Sequence, residues 1–198
     1  MQTPGVIFLV RHGETPWSRS GQHTSLTDVA LTDRGRLQAQ RLAMLFTGRT
    51  IAEVRTSPLE RAAETCRLLD LGGNPIVDAD LREWDYGDDE GLTTAQIRAT
   101  RPGWTVWGDG PKSGETIDDV ARRVDRVIER ACVASQAGDV VLVGHGHCLR
   151  VLAACWLATD PHFGRYLALD PASISELGFE REQRVLRVWN RVADAATA

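Results

Sequence analysis

Two runs of the chain, Val6-Ile7-Phe8-Leu9-Val10 and Val140-Val141-Leu142-Val143, are apolar and largely β-branched, with no polar alternation. A strand that reads this way is buried on both faces, as central strands are in a parallel sheet covered by helices. Each run passes at once into a histidine beside glycine: Arg11-His12-Gly13 after the first, Gly144-His145-Gly146 after the second. In open α/β sheets ligands bind beyond the carboxyl ends of the strands, so both histidines are expected at one functional edge. A single histidine after a strand is more often a satisfied polar residue. Two such turns, from the two most strand-like segments, are what give the pattern weight.

The remaining segments fit around these strands. Thr32-Asp33 is expected to cap a helix whose apolar face is marked by Leu37, Leu42, Leu45 and Phe46. Residues 51–56 read as a short strand, and Ser57-Pro58 as the N-cap and first-turn proline of a helix reaching about Leu69. Ile76-Val77 is a weaker strand. Residues 115–134 form an amphipathic helix with Val120, Val124, Val127, Ile128 and Ala131 on one side; a further helix is expected from Leu149 to Leu157. Residues 173–179 and 184–189 read as a terminal hairpin turning near Glu182. The stretch 81–114, rich in Trp, Gly and Asp with one short helix near residues 93–100, is too long for a connection and reads as a lid or substrate region. Alternating strands and helices argue for an α/β fold with a largely parallel sheet. The chain has 198 residues and shows no repeat, low-complexity tract or linker, so one domain spanning 1–198 is expected.

Composition excludes several classes. The 23 basic and 27 acidic residues leave a net charge of −4, which argues against a nucleic-acid partner. No apolar run approaches the roughly 20 residues of a membrane span, and Met1-Gln2-Thr3-Pro4-Gly5 carries no positive charge ahead of Val6. A cytoplasmic protein with no membrane partner is expected. Cys66, Cys132, Cys148 and Cys155 make no C-x-x-C pair and fit buried thiols in a reducing compartment. His145-Gly146-His147 could be read as half of a metal site, but no third ligand stands at helical spacing, and there is no P-loop. Neither metal nor cofactor is expected. Bland alternatives stand beside the other polar residues. Arg61 alone in a helix would be a solvated charge, and Glu83 among Asp85, Asp88, Asp89 and Glu90 would belong to a solvated or Ca²⁺-attracting loop. His23 and His162 read as surface residues. Trp84, Trp104 and Trp107 either line a ligand surface or simply pack.

Arg11-His12-Gly13-Glu14-Thr15, the segment from Ser57-Pro58 through Glu60-Arg61 to Thr65, Leu81-Arg82-Glu83 and Gly144-His145-Gly146, in this order, resemble the histidine phosphatase superfamily, also called phosphoglycerate-mutase-like. The resemblance covers nearly the whole chain. It implies a three-layer α/β/α sandwich around a mostly parallel central sheet, and a site for phosphoryl transfer on a small phosphomonoester. Arg11 and Arg61 would then offer planar forks to the phosphoryl oxygens. His145 would donate a further hydrogen bond, as imidazolium while phosphate is bound. His12 would be the nucleophile, attacking phosphorus through one ring nitrogen while a backbone carbonyl or carboxylate holds the proton on the other. Glu83 would be the general acid, its pKa raised beside Trp84 and an arriving dianion.

Within the superfamily the mutases resemble a pattern with a Glu-Arg-Arg-Ser stretch and a longer central insert. Here the equivalent region is Arg101-Pro102-Gly103-Trp104-Thr105-Val106-Trp107, and the arginine pair is missing. Without that guanidinium a substrate carboxylate has no obvious partner, so hydrolysis is expected, with phosphoglycerate mutase as the alternative. Residues 20–28, 81–87 and 145–150 are similar to the sedoheptulose-1,7-bisphosphatase type and to acid phosphatases of actinobacteria. That likeness implies a pocket lined by Ser18, Thr24 and the backbone at Ser25, with Tyr86 at its wall and Gly146 giving close approach. The family commonly has glycine where Ser25 stands. Relatives are often dimers or tetramers, which leaves a homo-oligomer open.

Overall fold

In the computed structural model, which describes residues 4–193, the elements follow in the order β1 (Ile7–Arg11), α1 (Pro16–Ser20), α2 (Asp33–Leu42), β2 (Ile51–Thr56), α3 (Glu60–Leu69), β3 (Ile76–Val77), α4 (Thr94–Thr100), α5 (Ile117–Ala134), β4 (Asp139–Gly144), α6 (Gly146–Trp156), β5 (Ser173–Glu180) and β6 (Gln183–Val192). The strands make one sheet in the order β3-β2-β4-β1-β5-β6. The first four are parallel; β5 runs antiparallel to β1, and β6 antiparallel to β5.

Successive side chains of a strand face opposite ways, and each face of the two apolar runs finds its own core. Ile7, Leu9, Val140 and Leu142 pack with Val120, Val124, Val127 and Ile128 of α5 and with Leu149 and Leu152 of α6. Phe8, Val10, Val141 and Val143 pack with Leu42 of α2 and with Ala62, Cys66 and Leu69 of α3. The result is the expected three-layer α/β/α sandwich, closed at one edge by the antiparallel hairpin. Residues 81–106 are tied into the same core: Leu81, Trp84, Tyr86, Ile97, Trp104 and Val106 are all buried. At about 1.5–3 kcal/mol for each large buried apolar side chain, that wall of the site is firmly held.

Three local readings need correction. Leu37 is 55% exposed, because α2 turns Gly35, Ala39 and Leu42 inward and a residue two positions on from Gly35 points away. Gly35 takes the inner face because a Cβ there would lie 2.2 Å from the Glu14 carbonyl oxygen. Ser57 does not cap α3, which starts at Glu60 with Leu59 at the N-cap position. The last helix begins at Gly146 rather than Leu149, since its cap comes from a residue remote in sequence. The residues 1–3 read for a targeting signal lie outside the described residues. Among the described residues no helix is long and apolar enough to cross a membrane.

Candidate active site

Strands β2, β4 and β1 are parallel neighbours, so their carboxyl ends open on one edge of the sheet. Arg11 ends β1 and His12 follows it, the His12 N–H donating to Gly144 O (3.0 Å) and its carbonyl accepting from Ala172 N–H (3.0 Å). Ser57 follows β2, with its N–H on Val143 O (3.0 Å). His145 follows β4 and occupies the N-cap position of α6. Backbone bonds therefore lock the three loops to one another. Gly13 is required here, because a Cβ on it would lie 2.4 Å from Gly35 O.

His12 Nδ1 lies 2.8 Å from Gly13 O. A carbonyl only accepts, so Nδ1 carries the hydrogen and Nε2 keeps its lone pair. Burial, reinforced by the positive charges of Arg11 and Arg61, holds the His12 pKa well below the ordinary 6.5. His145 stands next to it, ring centroids 5.1 Å apart. Its Nε2 lies 2.8 Å from Ser57 Oγ, which accepts from Leu59 N–H (3.3 Å). Both groups are satisfied when the Ser57 hydroxyl donates to Nε2, leaving an Nδ1–H on His145 as a buried donor without a protein partner. Burial, then Arg61 and its other cationic neighbours, keep this ring neutral as well.

Arg61 is fully buried, not a solvated charge. Its terminal nitrogens hold the carbonyls of Thr27, Thr24 and Ser25, each at 3.1 Å, so part of the fork is spent on the loop. Its Nε has no partner. Arg11 donates through Nη1 to Leu169 O, and its Nε is likewise without a partner. A buried donor left unpaired costs about 1–3 kcal/mol. Arg11, Arg61 and His145 each carry one such donor, and unpaired buried donors of this kind suit the oxygens of an anion.

Glu83 is buried, and its carboxylate closes the start of α6. Oε1 accepts from Trp84 N–H (2.9 Å) and Cys148 N–H (2.8 Å), and Oε2 from His147 N–H (3.0 Å). The His147 and Cys148 N–H groups are helix-terminal amides that would otherwise lack acceptors. The apolar surround read from Trp84 is not what Glu83 has: the Trp84 indole packs in the core and donates to Glu115 O (2.8 Å).

A cavity of about 380 Å³ opens over these groups. Arg11, His12, Glu83, Ser18, Thr24, Tyr86 and Gly146 line it. Ser25, Arg61 and His145 do not; the Ser25 N–H is held by the Glu90 carboxylate (2.8 and 2.9 Å). His23 is no surface residue: it is buried against Tyr86 and Trp104 (ring centroids 4.8 and 5.4 Å) and also lines the cavity. His147 Nδ1 meets Tyr86 Oη at 2.6 Å. Of the tryptophans, Trp104 and Trp107 reach the cavity wall, and Trp84 packs behind them. Two guanidiniums not singled out in the sequence face the cavity, Arg98 and Arg150. A second anionic group would therefore find cations here. Arg98 lies on α4, and Arg150 four residues beyond Gly146 on α6, a same-face helical offset that could have flagged it.

The profile of the histidine phosphatase superfamily (branch 1) matches residues 7–192. The chain belongs to that superfamily. It is 40% identical to an acid phosphatase of Mycobacterium tuberculosis over 92% of this chain and 90% of the relative. It is 37% identical to the sedoheptulose 1,7-bisphosphatase of Saccharomyces cerevisiae over 78% of this chain and 68% of the relative. A solved structure of an open reading frame product from Mycobacterium tuberculosis superposes with a TM-score of 0.91 at 38% identity, covering 96% of this chain and 99% of the other. This histidine phosphatase is a phosphoric monoester hydrolase that acts on small phosphorylated molecules.

Proposed function

We propose that the protein hydrolyses sugar phosphates and similar small phosphomonoesters through a phosphohistidine on His12. The reading rests on one observation: His12, whose Nε2 keeps its lone pair, lines the cavity beside Arg11, and Arg11 Nε, Arg61 Nε and His145 Nδ1 are buried donors without protein partners. Arg11, Arg61 and His145 bind the phosphoryl oxygens and take up the charge that builds on them. His12 Nε2 attacks phosphorus as the bond to the leaving oxygen breaks, and Glu83 Oε2 delivers a proton to that oxygen. Water then attacks the phosphohistidine and gives its proton back to Glu83, releasing inorganic phosphate and His12. Beyond the phosphoryl group, His23, His147, Tyr86 and Thr24 offer neutral hydrogen-bonding groups and Trp107 an aromatic face. That lining suits a polyhydroxylated leaving group.

Arg98 and Arg150 favour a more specific reading, a substrate with a second anionic group such as a sugar bisphosphate. Both face the cavity. The same feature keeps phosphoglycerate mutase as the alternative, which direct assay of 3-phosphoglycerate conversion with 2,3-bisphosphoglycerate separates. The test of the main reading is turnover of p-nitrophenyl phosphate in EDTA, with capture of an acid-labile phosphoenzyme. Activity that persists in His12→Ala, or a phosphoenzyme that still forms in it, would overturn the mechanism.

A further inference from the structure

Glu83 lies on a turn with no regular structure of its own, yet its carboxylate must reach a fixed point in the cavity. What holds that turn is a largely buried ion pair, Arg123 buried and Glu115 half-buried, from the opposite side of the wall. Arg123 projects from α5 with its side chain 5% exposed and binds Glu115 through two parallel bonds, Nε to Oε1 (2.9 Å) and Nη2 to Oε2 (3.0 Å). Its remaining donors go to the backbone around the acid: Nη1 to the carbonyls of Asp80 and Arg82 (2.7 Å each) and Nη2 to that of Glu83 itself (3.2 Å). Glu115 completes the mould, Oε2 accepting from Asp85 N–H (3.0 Å) and its carbonyl from the Trp84 indole (2.8 Å). Nη1 also reaches Cys148 Sγ (3.3 Å), on the residue whose N–H holds Glu83 Oε1.

We infer that Arg123, paired with Glu115, is a positioning residue for the acid: it clamps the carbonyls on either side of Glu83 and so sets where the proton is delivered. Neither side chain lines the cavity, so neither touches substrate. Burying such a pair brings little net stability and more often fixes one conformation. A planar guanidinium is the side chain that can grip a carboxylate and three carbonyls at once; lysine lacks the fork.

The inference rests on the reading of Glu83 as general acid, and the test separates the two. A misplaced acid harms substrates whose leaving group needs a proton, and spares those whose leaving group departs unaided. Arg123→Lys, Glu115→Gln and Glu83→Gln are compared on glycerol 2-phosphate, an alkyl ester, and on p-nitrophenyl phosphate. With general acid catalysis contributing about 10²–10⁴-fold, Glu83→Gln lowers kcat on the alkyl ester by about a hundredfold or more and on the aryl ester by a few-fold. Arg123→Lys and Glu115→Gln follow the same pattern at about tenfold on the alkyl ester, with KM for both esters unchanged, and add little further loss when combined with Glu83→Gln. If Glu83→Gln slows both esters equally, the acid reading fails. If Glu83→Gln discriminates but the Arg123 and Glu115 variants slow both esters alike, or multiply the Glu83→Gln loss in full, the positioning inference fails. Should Arg123→Lys unfold, Glu115→Gln decides; unfolding of both overturns the inference, since the pair would then hold the fold and not the acid.

Discussion

His12 and His145 stand with ring centroids 5.1 Å apart, and each commits one nitrogen to the protein, His12 to Gly13 O and His145 to Ser57 Oγ. Their other nitrogens have opposite character. His12 Nε2 keeps a lone pair, and His145 Nδ1 keeps a hydrogen. A phosphoryl group placed over the pair meets a nucleophile for phosphorus and a donor for oxygen. Burial and the neighbouring guanidiniums hold both rings neutral, which this division of labour requires.

The first consequence concerns activity against pH. The His12 pKa lies well below 6.5, so the nucleophile remains unprotonated as the medium becomes mildly acidic. The acid limb of kcat/KM for p-nitrophenyl phosphate is therefore expected well below that value. Half-loss of kcat/KM close to the ordinary histidine value would contradict the buried neutral ring.

Stability responds to the same groups with a definite sign. His12, His145 and His147 all have pKa values depressed in the folded protein, burial being the largest cause for each. Between the folded values and the ordinary 6.5 the unfolded chain binds more protons, so acidification favours unfolding. This contribution is present in full above 6.5 and is lost as pH falls toward the folded values. Thermal unfolding should show Tm falling as the buffer is taken down through this window, with a shallower fall in His147→Asn. A Tm that is flat or rises there would refute the assignment.

Ser57 supplies the third prediction. Ser57→Ala removes the group that fixes the His145 tautomer and orientation. The loss of one buried hydrogen bond should cost about 1 kcal/mol of stability. The kcat should fall about tenfold, equivalent to about 1.4 kcal/mol in the barrier. Ser57→Thr, which keeps the hydroxyl, should retain most of the rate. Urea denaturation and steady-state kinetics on the same preparations check both numbers.

Much of this was legible in the sequence, for a physical reason. Strands buried on both faces must be apolar throughout, so β1 and β4 were plain, and histidines placed directly after them had to emerge at the strand ends. The four motifs point to Arg11, His12, Arg61, Glu83 and His145, of which Arg11, His12 and Glu83 line one cavity. Contacts made across the fold were not legible. Ser57 looked like a helix cap because local sequence cannot show that its hydroxyl meets a ring 88 residues away. His23 looked like a loop residue because the aromatic wall that covers it, Tyr86 and Trp104, comes from another part of the chain. Arg123 sat unremarked in an amphipathic helix, since its partners are mostly backbone carbonyls and leave no trace in composition.

Arg61 carries the fourth prediction. Its side chain, proposed to bind the phosphoryl group, also holds three loop carbonyls. Arg61→Met should therefore lose both activity and stability, the latter by about 2–4 kcal/mol because buried acceptors are left without donors. Inorganic phosphate should raise the Tm of the parent protein through linkage and do so much less for this variant. A variant that still binds phosphate as tightly, seen as an equal Tm shift, would remove Arg61 from that role.

Arg98 and Arg150 decide how specific the pocket is. Arg98 donates from Nε to Trp104 O (2.8 Å). Arg150 lies over the Trp107 ring at 4.6 Å and bonds through Nε and one terminal nitrogen to the carbonyls of Gly164 and Arg165. Neither has a carboxylate partner among the described ion pairs, so a second anionic group on the substrate meets charge that the protein has not neutralised. Arg98 is the cleaner probe, because Arg150 also secures the chain at Gly164. A charge-assisted hydrogen bond contributes about 1.5–3 kcal/mol, so Arg98→Met should raise KM for a sugar bisphosphate by roughly tenfold or more. The KM for p-nitrophenyl phosphate, which has no second anionic group, should stay within about twofold. Equal changes on both substrates would show that Arg98 supports the pocket wall, and that the second charge is read elsewhere or not at all.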